Sequence, residues 1–125
     1  MNGVRLELKR HMTLFPGVGK DRCEGHFSFP AESSVFEGHF PGSPVLPGIC
    51  LIVSCLVAAE QVCGRSVNLR GVKSAKFSAP VFPDQKVVFN VSLAVASDEK
   101  IGNTLLKADF SSENRKIARL RLLID

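Results

Sequence analysis

One histidine in this chain stands where a histidine can work. His39 lies in FEGHFPGSPVLPG, between Gly38 and Phe40, in a stretch punctuated by Pro41, Gly42, Pro44, Pro47 and Gly48. Proline locks the backbone and glycine frees it, so this run predicts a shaped loop rather than regular structure. Imidazole, with an ordinary pKa near ~6.5, is the side chain best suited to take a proton at neutral pH. GICLIVSCLVAAEQVC follows, Gly48 to Cys63, with no further Gly or Pro and only Ser54, Glu60 and Gln61 strongly polar. A run apolar nearly all round predicts a helix buried on most of its surface. Gly64 then occupies the position where helices end. The first N–H groups of a helix lack internal partners and carry partial positive charge, which suits them to a developing oxyanion. A loop histidine delivered to the start of that helix is the candidate site.

The other chemistry-bearing residues read as structural. His26 shares a phase with Glu24 and Ser28, and His11 falls in the polar phase of its own segment, so both are expected on the surface. Cys23, Cys50, Cys55 and Cys63 form no CxxC pair and no zinc spacing. Cys50 and Cys55 are about 140° apart round a helix and share no face. All four are expected as buried, reduced thiols, with no metal and no cofactor.

Composition narrows the class. The chain has 125 residues, 45% hydrophobic and 22% charged, which predicts one domain, 1–125, with a real core. The formal net charge is +4, yet there is no Trp, no Tyr and no basic stripe with interleaved aromatics. Nucleic acid binding is therefore not expected. An acidic protein partner suits the charge, as does a simply solvated basic surface. No apolar run reaches the ~20 residues that cross a bilayer, so no membrane insertion is expected. MNGVRLELKRHM carries no apolar secretory core, and a cytoplasmic protein is the expectation.

The elements that must position the site follow from periodicity. Val4 to Leu14 alternates apolar and polar residues and predicts a half-exposed strand. Phe15 to Lys20 reads as a turn, and Cys23 to Phe29 as a second strand stopped by Pro30. After the helix, Leu69 to Phe77 reads as a strand, Ala79 to Asp84 as a turn and Gln85 to Ser97 as a long strand. Asp98-Glu99-Lys100 with Gly102-Asn103 predicts a hairpin connection. Thr104 to Phe110 and Lys116 to Ile124 are the last two strands. An antiparallel sheet of about six strands has one face to cover, and one long apolar helix needs cover on most sides. Curling the sheet round the helix meets both demands and predicts an α+β domain.

HFPGSPVLPGI closely resembles the HFPG-x-P-V-x-PG signature of the 3-hydroxyacyl-(acyl-carrier-protein) dehydratases, a hotdog-fold family in which a sheet wraps a central helix. KSAKFSAPVFPDQKVVFNVS, Lys73 to Ser92, resembles the strand–turn–strand that follows the family's helix. The two stretches together span about half the chain. The resemblance implies His39 as the catalytic histidine and the amides of Gly48 and Ile49 as the holders of the thioester carbonyl. It implies that the Val45 carbonyl helps to orient the histidine. It also implies an acyl carrier protein or other acyl thioester as partner and substrate. A dimer is implied as well, homodimeric or with a related hotdog chain, its edges paired through the long strand Gln85–Ser97.

One position departs from the family. Its Glu or Asp, the acid that protonates the leaving hydroxyl, falls on Val53, which can donate nothing. Glu60 lies on roughly the same face but about 10 Å further along the axis, out of reach of the same substrate atom. Glu37 approaches only if the loop folds back, and Asp84 reads as a turn-former. Three expectations stay open: a dehydratase-like enzyme whose acid comes from a paralogous partner, a hotdog acyl thioesterase, and a non-catalytic acyl-binding subunit. No nucleophile with a partnered base is evident, which ranks hydrolysis second.

Overall fold

The N-terminal segment departs from the sequence expectation from Val4 to His11. In the computed structural model, which describes residues 2–37, 44–95 and 104–125, Asn2–His11 is a helix, α1, and only Met12–Pro16 is a strand, β1. Val4, Glu7, Leu8 and His11 recur at the i, i+3, i+4, i+7 spacing of one helical face and are buried or half-buried, with Arg5 half-buried beside them. Glu7 and His11 are polar, so the stripe shows as a two-residue alternation until their partners are known. Lys9, Arg10 and His11 complete the helix, placing cations where its carbonyls gather negative charge.

The remaining elements follow the expected order. β2 is Arg22–Phe27, α2 is Gly48–Cys63, β3 is Leu69–Phe77, β4 is Val87–Val95, β5 is Thr104–Ser112 and β6 is Arg115–Ile124. A single 3₁₀ turn, Ser34–Phe36, leads towards the histidine loop. The six strands form one antiparallel sheet in the order β1-β2-β4-β5-β6-β3. The α+β class is as expected, with two α-helices among the described residues in place of one.

β4 is flanked by β2 and β5, and both of its edges are hydrogen-bonded. The expectation that Gln85–Ser97 pairs across a dimer is therefore wrong, because a strand with both edges filled has none to offer. The sheet's outer strands are β1 and β3. The predicted hairpin at 98–103 lies outside the described residues.

α2 packs against β2, β4 and β5. Cys50, Leu51, Val53, Ser54, Cys55, Leu56, Ala58 and Ala59 are buried along it, as its composition requires. Ser54 Oγ donates to the Cys50 carbonyl at 2.7 Å, so the one hydroxyl inside the helix core is satisfied within its own turn. Opposite the helix, Phe27, Phe89 and Phe110 form a ring cluster with centroids 5.1–6.4 Å apart. Gly25 permits this cluster: a Cβ there would stand 2.7 Å from the Phe89 ring, closer than real contacts allow. Gly64 takes the left-handed conformation, φ 70°, and its N–H closes α2 on the Glu60 carbonyl at 2.9 Å.

Candidate active site

The start of α2 is where backbone chemistry is available. Its N-cap is Pro47, a residue with no side chain to cap the helix and no N–H of its own. The Cys50 N–H turns back to the Pro47 carbonyl at 3.0 Å. Among the described residues no acceptor is assigned to the N–H of Gly48 or Ile49. Ile49 is 44% exposed, which leaves this first turn open at the surface.

Beside it lies an open cleft of ≈ 450 Å³. One wall is the segment leading into α2, with Val45, Leu46, Gly48 and Leu51; the other runs from Phe77 at the end of β3 to Val81. The Leu46 N–H donates to the Val81 carbonyl at 2.8 Å and ties the walls together. Phe77 lies against Gly48 so closely that a Cβ on the glycine would stand 3.1 Å from the ring. A bare backbone at position 48 therefore keeps both the aromatic wall and access to the amides. Among the described residues no ionisable side chain lines the cleft.

Val45 and Gly48 thus share the cleft, and Ile49 stands exposed on the same first turn of the helix. Val53 does not line it; its side chain is completely buried. His39, Gly38 and Phe40 to Gly42 lie outside the described residues.

Each carboxylate weighed as a substitute acid has a place of its own. Glu60 accepts from Arg5 Nη1 at 2.7 Å and from the Val67 N–H at 3.1 Å. Burial works to raise its pKa, but Arg5 and the Val67 amide prevail and hold it below the usual carboxylate range. It fastens α1 to the far end of α2 as a charged staple. Asp84 has φ 64° and its N–H bonds to the Phe29 carbonyl at 2.8 Å, as befits a turn residue. Glu37 is exposed just past the 3₁₀ turn.

The carboxylate that sequence reading missed is Glu7. Nearly buried, it accepts from Ser33 Oγ at 2.5 Å. That hydroxyl, followed by attraction to His11 and by the Ser34 amide, lowers the Glu7 pKa against the opposing effect of burial. Ser33 is also the N-cap of the 3₁₀ turn, taking the Val35 N–H at 3.4 Å. Glu7 therefore anchors the turn that ends two residues short of the histidine loop. The only sequence signal for it was the i, i+4 spacing from Val4 to Leu8 that brackets Glu7.

The three buried thiols are poor nucleophiles. Burial pushes the Cys50 pKa to about 11 and raises Cys23 and Cys55 as well. Cys63, the last residue of α2, is exposed, against expectation. His26 is half-buried and rests on Phe15, ring centroids 5.6 Å apart; His11 is half-buried against Phe29. Among the described residues no group of three His, Cys, Asp or Glu is placed to hold a metal ion, and no helix is long and apolar enough to cross a membrane.

Comparison with known proteins places this geometry. Residues 15–118 match the family model of ApeI-like proteins, described as ApeI dehydratase. The 3-hydroxyacyl-(acyl-carrier-protein) dehydratase FabZ of Latilactobacillus sakei is 35% identical over 99 residues, covering 74% of this chain and 70% of that protein. FabZ of Oenococcus oeni is 35% identical over 115 residues, covering 86% and 81%. Among solved structures, the dehydratase heterocomplex ApeI:P from Xenorhabdus doucetiae superposes with a TM-score of 0.73 at 16% identity, over 91% of this chain and 93% of that one. The PaaI protein of E. coli superposes at 0.69 and 12% identity, over 99% and 90%; both likenesses are of fold. A family match over most of the length, with FabZ relatives above 30% identity, settles the kinship: the chain belongs to the ApeI-like branch of the FabZ-related hotdog dehydratase family.

Proposed function

We propose that this chain is one half of a two-subunit site that dehydrates 3-hydroxyacyl thioesters, most naturally those borne by an acyl carrier protein. His39 removes the C2 proton. The amides of Gly48 and Ile49 hold the thioester oxygen as it gains enolate character, and the Val45 carbonyl orients the imidazole. An acid on a related hotdog partner protonates the C3 hydroxyl. The C2–H and C3–O bonds break, the C2–C3 double bond forms, and water departs carrying the acid's proton.

One observation carries this reading. The uncapped start of α2 opens on an apolar cleft that has no carboxylate among the described residues, and one wall of that cleft starts from the end of β3, an outer strand of the sheet. A partner laid along β3 would stand beside the exposed amides, at the place where an acid is missing. Leu69, Val72 and Phe77 on β3 are 37%, 49% and 50% exposed, an apolar row that a partner would cover. The Xenorhabdus doucetiae neighbour, a dehydratase heterocomplex by name, supports a paired arrangement. Hydrolysis by a thiol of this chain is disfavoured, since burial holds Cys50, at the head of α2, in its neutral form.

The test is incubation of the purified chain with a 3-hydroxyacyl carrier protein, alone and with candidate hotdog partners that carry the acid. Enoyl product in the mixture only, lost with His39→Ala, is the expected result. Free carrier thiol would instead mark a thioesterase. Binding without turnover in every mixture would leave an acyl-binding subunit.

A further inference from the structure

One side of the sheet faces the core and the other carries a plane of charge. Cys23, Val91, Ala108 and Leu120 line up across four strands and point into the core shared with α2. Their neighbours along each strand therefore point the other way. Register sets those neighbours in rows. Arg22 lies opposite Ser92, Ser92 opposite Lys107, and Lys107 opposite Arg121. The next row runs Phe15, Glu24, Asn90, Asp109, Arg119 and Lys76. Lys116 follows, opposite Ser111. These rows hold six cations against two carboxylates, an excess as large as the +4 of the whole chain.

One of the two acids is already engaged, since Asp109 accepts from Arg119 Nε at 2.8 Å. Among the described residues no carboxylate is paired with Arg22, Lys107 or Arg121. Lys107 and Arg121 are exposed and directly opposed, an arrangement that costs a strand pair stability. A face that met only water would be better served by mixed signs. The cations stand about 5 Å apart from strand to strand and spread over the plane without converging. Such a layout grips no single phosphate; it matches many separate negative charges laid out on a surface. Exposed apolar groups stand at one end of the plane. Val18, in the turn between β1 and β2, lines a hollow with Arg22 and Lys107, and Glu24 and Asp109 of the second row line it too. Phe15 lies beside Glu24 and His26, and both Phe15 and Val18 are exposed. A plane of cations with an aromatic and an aliphatic tip at its margin is built to rest on anionic lipid, the cations among headgroups and the tips at the acyl boundary.

We propose that this face of the sheet is a peripheral docking surface for an anionic lipid bilayer. Arg22, Lys107 and Arg121 meet the headgroups, and Phe15 and Val18 enter between them. The docking needs no membrane-spanning helix and no part of the dehydratase chemistry.

The test sediments the whole chain with vesicles of phosphatidylcholine, alone or mixed with phosphatidylglycerol. At about 0.05 M salt the chain is expected to pellet with the mixed vesicles only, and to be released near 0.5 M, where screening is nearly complete. Lys107→Gln/Arg121→Gln should bind about 30-fold more weakly, the effect of withdrawing two cations from an anionic surface. Circular dichroism checks the fold of each variant; if this pair misfolds, Lys107→Gln alone should lose about fivefold. Phe15→Ser/Val18→Ser keeps the charge and removes the tips, and Val18→Ser alone serves if that pair misfolds. The serine variant should lose vesicle binding while holding heparin, a soluble polyanion, as wild type does. Failure to pellet with the mixed vesicles, equal binding to both vesicle types, or unchanged binding of the glutamine variant overturns the proposal. So does a serine variant that binds vesicles as wild type does, because the face would then serve acidic macromolecules in general. None of these measurements reads catalysis, so the enoyl assay stands or falls separately.

Discussion

Placing a glutamate at position 53 should restore an acid to the family's site and at the same time charge the core. Val53 is completely buried, on the helix face one turn beyond exposed Ile49. We predict that Val53→Glu is destabilised at every pH by about 3 kcal/mol, from lost apolar packing and an incompletely paired carboxyl group. Above that lies a pH-dependent part. A carboxyl buried among apolar groups has its pKa raised by up to 3–5 units, so a shift of about three units from ~4.3 puts the folded value near ~7.3. The sign follows from the raised value. The unfolded chain loses the proton first, so the extra penalty is absent below ~4.3 and grows by about 1.4 kcal/mol per pH unit until ~7.3. Between about pH 5 and pH 8 that adds about 3 kcal/mol, a large part of the 5–15 kcal/mol typical of a domain. Urea titrations of Val53→Glu, Val53→Gln and wild type across this range measure it. The glutamine variant should show the flat difference only. Below ~7.3 the folded glutamic acid stays protonated, which is the state a general acid needs, so enoyl product from the variant without a partner is the expected gain there. Parallel pH profiles for Val53→Glu and Val53→Gln would refute the reasoning, since the new side chain would then be reaching water.

Three further predictions concern the anchors of the site. Glu7→Gln should cost about 1–2 kcal/mol at neutral pH by weakening the charged bond from Ser33; because the Glu7 pKa is lowered, this difference should vanish as pH falls from the unfolded carboxylate value through the folded one. Urea midpoints of the two proteins from neutral to acid pH report it. Arg5→Ala should free α1 from α2, costing about 1 kcal/mol for a half-exposed pair, with faster amide hydrogen exchange across Asn2–His11 and little change in β5 or β6. Gly48→Ala should push Phe77 aside and weaken substrate capture, seen as a raised KM, and adding Phe77→Leu should restore part of it.

Much of the chain was legible from local pattern. α2 announced itself because a sixteen-residue run without breakers, apolar on every side, has no other use in a folded domain. The alternation in β2, β4 and β5 matched burial because each of these strands turns one face to the helix, and a two-residue period is visible without knowing any neighbour. The family followed from the dense HFPGSPVLPG motif.

What tertiary structure alone decided involves partners far away in sequence. α1 looked like a strand because its buried face includes Glu7 and His11. Ser33, 26 residues on, and the Phe29 ring are what make those two positions interior. Glu60 could be set aside as an acid by distance, but its role as a staple came from Arg5, 55 residues earlier. Strand order was equally hidden: β4 looked like the dimer edge and lies inside the sheet, while β3 ended at the margin. Periodicity reports which face of a strand is covered, never which strand lies beside it, and it is this lateral order that puts β3 at the margin of the sheet, with its end next to the exposed amides of α2.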